Sequence, residues 1–189
     1  MDILSKPITL YLKAGPDGTS VGDCPFAHYV QMVLHEKQVS FKAQPATKGT
    51  KPKWIIDKYG GSLPALQCGD DEICMVESDA IAKFVDESVT TPPHLASGKY
   101  TSEEMKAAGE CTNGFFPAVA RYFKHTINGD EEDLKRKAAL EEALGKIEAQ
   151  LGQQGKSGPF LAGNGENITL LDCSMIPKLY HLSVGMIQG

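Results

Sequence analysis

The chain has 189 residues, enough for one large domain or two small ones, and its 41% hydrophobic content is that of a folded globular protein, not a disordered one. With 19 Lys and Arg against 24 Asp and Glu, a net charge of -5 and no interleaving of basic and aromatic residues, it offers nothing to a phosphate backbone, which excludes nucleic-acid binding. Its 5 cysteines are irregularly spaced without a Cys-x-x-Cys pair, which gives no metal-site spacing and favours a reducing compartment over a disulfide framework.

Met1 to Pro7 carries neither the apolar run of a signal peptide nor an Arg-rich transit pattern, so the cytosol is the expected compartment. Ile8 to Leu12 alternates as a strand does, and the Gly- and Asp-rich segment Ala14 to Asp23 reads as a loop. Phe26, Val30, Val33 and Leu34 recur at helical spacing to about Glu36, and Val39 to Ala43 alternates again. Pro52 to Tyr59 predicts a short helix stopped by Gly60-Gly61. Leu63-Pro64-Ala65-Leu66 then opens a pair of short strands joined by a turn at Gly69-Asp70-Asp71, and a helix follows from Ser78 to about Glu87. The order is β-α-β-α-β-β-α.

Composition changes over Ser88 to Ser97, where Thr90-Thr91-Pro92-Pro93 reads as a linker, and the expected division is 1–88, a linker over 89–101, and 102–189. The second part is helical in character: Ser102 to about His125, Asp130 to about Gln154, and a third helix from Thr169. Thr169-Leu170-Leu171-Asp172 fits a capping box, with Ile168 placed to staple onto Cys173, and Pro177 should kink the helix that follows. There is no internal repeat and no uncharged apolar run of about 18 residues.

Cys24 is the residue with the clearest chemical promise. It lies in Gly22-Asp23-Cys24-Pro25-Phe26-Ala27, between a predicted strand and a predicted helix, and a proline after it suits the first helical turn. The sulfur then sits beside unpaired backbone N–H groups at the positive end of the helix dipole, which favours the anion, and the thiolate is the nucleophile. Ala27 stands where a dithiol redox motif needs its second cysteine, so the thiol must be resolved by an outside thiol, of which glutathione is the abundant cellular one. Cys68, Cys74, Cys111 and Cys173 fall in apolar patterns and read as core thiols, and Trp54 reads as a packing residue. His28 follows Cys24 by one helical turn; it either assists as a base or faces solvent, and solvent is the simpler expectation.

A thioredoxin-like half followed by an all-helical half resembles the cytosolic glutathione transferase superfamily. Lys13-Ala14-Gly15, Gly22 to Phe26, Lys51-Pro52-Lys53-Trp54 and Pro177 to Leu182 are most similar to the glutathione-dependent dehydroascorbate reductases of plants and algae. That resemblance implies a glutathione transferase fold, with an α/β thioredoxin-like N-terminal domain and an all-α C-terminal domain. It also implies Cys24 as the redox nucleophile, with Lys13 and Asp23 positioning the ascorbate oxygens. Pro64 would be a cis-proline, with Leu63 before it pairing in strand fashion with the cysteinyl part of glutathione. Glu77 and Ser78 would hold the γ-glutamyl end, with Ser78 as helix N-cap, and Lys51 the glycyl carboxylate. Asp172 stays structural.

The implied reaction is a ping-pong reduction of dehydroascorbate to ascorbate through a sulfenic acid and a mixed disulfide, releasing glutathione disulfide. Glutathione is then a cosubstrate, with no metal and no tightly bound cofactor, and the protein is a monomer. Two departures stand out. Plant members carry Ser-Gln-Arg where this chain has Ala27-His28-Tyr29, and they continue for several helical turns beyond the Pro177 to Leu182 motif, so a truncation at Gly189 is expected. The neighbouring families imply alternatives: a general thiol transferase of omega type, or a membrane-inserting protein like the chloride intracellular channels. Against the latter, the segment from Cys24 to Phe41 holds His28, His35, Glu36 and Lys37, each costly in hydrocarbon.

Overall fold

The computed structural model describes residues 6–188 except 70–72, 93, 96–98, 127 and 154. The expected features at Met1 to Ser5, Asp70-Asp71, Pro93, Ser97, Gln154 and Gly189 therefore lie outside the described residues. The chain divides into two compact units, Met1–Ala96 and Ser97–Gly189.

In the first unit, β1 (Ile8–Lys13) is a central strand that buries Ile8, Leu10 and Leu12 in alternation. It pairs in parallel with β2 (Lys42–Ala46) and antiparallel with β3 (Ala65–Cys68), which pairs antiparallel with β4 (Ile73–Val76). The sheet order is β2-β1-β3-β4. The connection from β1 to its parallel neighbour is α1 (Pro25–Glu36), whose Ala27, Tyr29, Val30, Val33 and Leu34 form a buried stripe. That helix packs on α3 (Ser78–Ser88), which buries Ile81, Ala82 and Val85. Helix α2 (Lys53–Tyr59) ends where Gly60 and Gly61 take φ of 60° and 85°, a region that glycine enters without a Cβ clash. Trp54 packs edge-on against Tyr11 and Tyr59, at ring separations of 6.1 and 6.0 Å.

The predicted β-α-β-α-β-β-α order holds, with one shift. The second strand runs over Lys42–Ala46, not Val39 to Ala43. The alternation at Val39 belongs to the end of α1: Gln38 turns with φ of 54°, and the Val39 N–H donates to the Leu34 carbonyl at 2.8 Å while its side chain is buried.

A buried ion pair closes this unit. Lys37, just past α1, meets Asp86 on α3 at 3.0 Å with both side chains almost wholly excluded from solvent. Lys37 Nζ also donates to the Pro92 carbonyl at 2.9 Å, and the Leu95 N–H donates to Asp86 Oδ1 at 2.7 Å. The expected linker is thus divided, since Val89 and Leu95 are buried within the first unit.

The second unit holds α4 (Ser102–Thr112), α5 (Phe115–Phe123), α6 (Glu131–Leu151) and α7 (Leu170–Gln188) around a core that includes Ala108, Phe115, Val119, Leu140, Ile147, Met175 and Leu182. The single helix predicted from Ser102 to His125 is two, because Gly114 adopts φ of 82° and turns the chain between them. Capping boxes open α4 at Thr101 with Glu104 and α6 at Asp130 with Asp133. At α7, Asp172 accepts the Thr169 N–H and hydroxyl at 2.8 and 2.6 Å and, through its other oxygen, the Leu161 N–H at 2.8 Å. Asp172 is structural, as expected, and also anchors the preceding loop. The helix continues past Pro177.

Lys37→Met leaves Asp86 a buried carboxylate without its cation, an arrangement that costs about 3–5 kcal/mol. Urea denaturation of the variant should show a loss of that size, and Lys37→Met with Asp86→Leu should recover much of it.

Candidate active site

Three strands bring the relevant backbone to one end of the sheet. Ala65 on β3 pairs with Tyr11 on one side and Val76 on the other. Leu63-Pro64 immediately precedes β3 and Glu77-Ser78 immediately follows β4, so the antiparallel register sets these two segments side by side. Continuing the β1–β3 register by two residues brings Lys13 level with Leu63. The Leu63–Pro64 peptide is cis, as expected. Lys51 reaches the same region from the start of α2: its Nζ donates to the Gly61 carbonyl at 2.5 Å.

Between β1 and α1, the loop from Ala14 to Asp23 is tied to itself. Ala14 bridges Val21, the Gly15 N–H donates to the Ser20 carbonyl at 2.8 Å, and the Gly22 N–H donates to the Lys13 carbonyl at 2.8 Å. A Cβ on Gly22 would lie 2.8 Å from that carbonyl oxygen, so the close approach requires glycine. Asp17 organises the tip, its Oδ1 accepting the Thr19 and Ser20 N–H groups and the Ser20 hydroxyl. The loop therefore delivers Asp23 to Lys13, which it meets at 3.2 Å on the surface, and puts Cys24 at the N-cap of α1.

Cys24 is half-buried, and its carbonyl accepts the Ala27 and His28 N–H groups at 3.0 and 3.1 Å. Pro25 occupies the first turn, as predicted. None of the five cysteines, all among the described residues, is in a disulfide; Cys68 and Cys173 are fully buried, whereas Cys74 and Cys111 are half-buried. Burial raises the pKa of the Cys111 thiol above its usual range.

At α3 one expectation is corrected. Ser78 is the first helical residue, and Glu77 holds the N-cap place with φ of 72°. Ser78 cannot cap from there, yet its amide belongs to the first turn, where an α-helix leaves N–H groups without intrahelical partners. The positive φ of Glu77 is a sparsely populated conformation for a residue with a side chain, and such conformations gather at binding sites.

A cavity of about 540 Å³ opens beside the start of α1, lined by Lys13, Gly15, Ser20, Val21, Asp23 and His28 among others. His28, expected to face solvent, is half-buried and lies in the lining of this open cavity with residues of the loop from Ala14 to Asp23. A second cavity, about 440 Å³ in the helical unit, is lined by Glu103, Glu104, Gln150 and Lys156, and the Lys156 ammonium is already bonded to the Phe160 and Leu161 carbonyls. His125, Asp130 and Asp133 cluster within 4.8 Å, but capping of α6 engages both carboxylates.

The family profile described as the N-terminal domain of glutathione S-transferase matches residues 23–88. Over 168 residues the chain is 32% identical to a rice (Oryza sativa subsp. japonica) protein named "Probable glutathione S-transferase DHAR1, cytosolic", covering 88% of this chain and 70% of the relative. The chain belongs to the dehydroascorbate reductase family of glutathione transferases. An Arabidopsis thaliana member, "Glutathione S-transferase DHAR2", is 33% identical over 172 residues, again covering 88% of this chain and 70% of the relative. Among solved structures, the dehydroascorbate reductase of Chlamydomonas reinhardtii superposes with a TM-score of 0.73 at 30% identity, over 94% of this chain and 76% of that one. The fold is accordingly the glutathione transferase fold expected from the sequence. No helix among the described residues is long and apolar enough to cross a membrane.

In this reductase-family loop, the Ser20 N–H, then the Thr19 N–H, hold the Asp17 carboxyl at about 2 against a usual 3.8. A depressed folded value means that the stabilisation is fully present above the ordinary pKa and fades as pH falls from about 3.8 towards 2. Asp17→Asn should therefore lower the thermal midpoint at neutral pH, and the difference from wild type should shrink steadily as pH falls from about 3.8 to about 2. A difference that is the same at both ends would contradict the loop's dependence on the anion.

Proposed function

We propose that this protein is a glutathione-dependent dehydroascorbate reductase that works through the single thiol of Cys24. The observation that carries the reading is the placement of Cys24 at the N-cap of α1 with Pro25 in the first turn and Ala27 in the place of a second thiol. A single thiol at a helix start is open to attack by an outside partner, and the absence of a second thiol in the motif requires an external one.

The steps balance as follows. The Cys24 thiolate, dehydroascorbate and one water give the Cys24 sulfenic acid and the ascorbate monoanion, with two electrons passing from sulfur to the vicinal dicarbonyl. Glutathione condenses with the sulfenic acid, releasing water and forming a mixed disulfide. The thiolate of a second glutathione attacks the glutathionyl sulfur, the S–S bond to Cys24 breaks, and Cys24 leaves as thiolate. Glutathione is a cosubstrate in this cycle.

The named residues divide the work. The Leu63 backbone pairs with the cysteinyl portion of glutathione as an added strand, the Glu77 side chain and the first-turn amide of Ser78 hold the γ-glutamyl end, and Lys51 attracts the glycyl carboxylate. Lys13 and Asp23 position the oxygens of dehydroascorbate. The relatives' names support the substrate, and the rice relative's name supports the cytosol. The thioredoxin-like part, 1–88, would bind glutathione ahead of a linker and the helical part.

Ascorbate formation from dehydroascorbate and glutathione should proceed rapidly with wild type and fall to the uncatalysed rate with Cys24→Ser. Turnover of a mixed-disulfide substrate without ascorbate formation would make the protein a general thiol transferase instead.

A further inference from the structure

His28 lines the 540 Å³ cavity, and the preceding reading leaves its chemistry unused. Its backbone N–H donates to the Cys24 carbonyl at 3.1 Å, so the two residues stand one helical turn apart on α1. Its imidazole is half-buried in a lining shared with Lys13 and Asp23, the two residues assigned to the dehydroascorbate oxygens. Those two are already paired with each other at 3.2 Å. Histidine is the side chain that most often passes a proton to or from a reacting group.

The first half of the cycle needs such an exchange. When two electrons reach the dicarbonyl of dehydroascorbate, one of its two new enediol oxygens must take up a proton, and the water whose hydroxyl joins the sulfur must lose one. We propose that His28 is a catalytic acid–base residue for this step, donating its proton to the nascent ascorbate oxygen and recovering one from that water. The proton count is then unchanged over the step and Cys24 ends as the sulfenic acid. The cavity would accordingly be the dehydroascorbate subsite, with Lys13 and Asp23 from the β1 end and the loop, and His28 from α1, converging on a small oxygen-rich lactone.

This inference rests on the reductase reading, and the experiment separates the two. Wild type, His28→Gln and His28→Phe are each assayed for reduction of dehydroascorbate and, on the same preparation, for turnover of a glutathione mixed disulfide, which uses Cys24 but needs no proton on an ascorbate oxygen. Removal of a positioned acid–base group typically costs 10²–10⁴-fold. For both variants the expected result is a loss of about 10²-fold in kcat with dehydroascorbate, with disulfide turnover changed by less than about 2-fold, a control that also reports correct folding. His28→Gln keeps hydrogen-bonding capacity without acid–base function, so a rescue of kcat by Gln over Phe would overturn the proton-transfer role. Equal losses on both substrates, or no loss on either, would overturn it too. Wild type unable to reduce dehydroascorbate would defeat the underlying reading, and this inference with it.

Discussion

The pairing of Ala65 with both Tyr11 and Val76 is the constraint on which the site depends. Because β3 runs antiparallel to both of its neighbours, the residues that enter it and those that leave β1 and β4 must collect at the same end of the sheet. Lys13, Leu63-Pro64 and Glu77-Ser78 are distant in sequence, and nothing local would assemble them. A register slip of one residue would reverse every side chain of β3 and disperse the set, and the full burial of Ala65, Leu66 and Cys68 opposes such a slip.

The helices then supply direction. α1 and α3 pack together on the sheet, and both begin at the end where the loops gather, α1 at Cys24 and α3 at Glu77 and Ser78. The Lys37–Asp86 pair braces the opposite end of α1 to α3 and holds Pro92 and Leu95 against them.

The sequence makes some of this legible and conceals the rest for identifiable reasons. Cys24 with Pro25 is a local signal: helix initiation depends on a few adjacent residues, and the structure puts both where they were expected. The shifted β2 shows the limit of alternation, since an apolar residue closing a helix, here Val39, looks the same as one beginning a strand. Gly114 was silent for a similar reason: a glycine within a helical composition is tolerated, and only its φ of 82° makes it a turn. Lys37 and Asp86 each look like ordinary surface charges, because a buried pair is created by long-range packing. His28 is intermediate. Its spacing from Cys24 gives the helix face, but that the face borders a cavity depends on how the loop from Ala14 to Asp23 bonds to itself.

The central claim is that one thiol carries the whole redox cycle, and the most direct measurement locates the glutathionyl intermediate. Reduced protein is treated with dehydroascorbate, freed of excess reagent, exposed to one equivalent of glutathione and digested without reductant for peptide mass mapping. The account predicts a glutathione disulfide on the peptide carrying Cys24, with Cys68, Cys74, Cys111 and Cys173 unmodified. An adduct on any of those four in place of Cys24, or a disulfide between two cysteines of the chain, would contradict it.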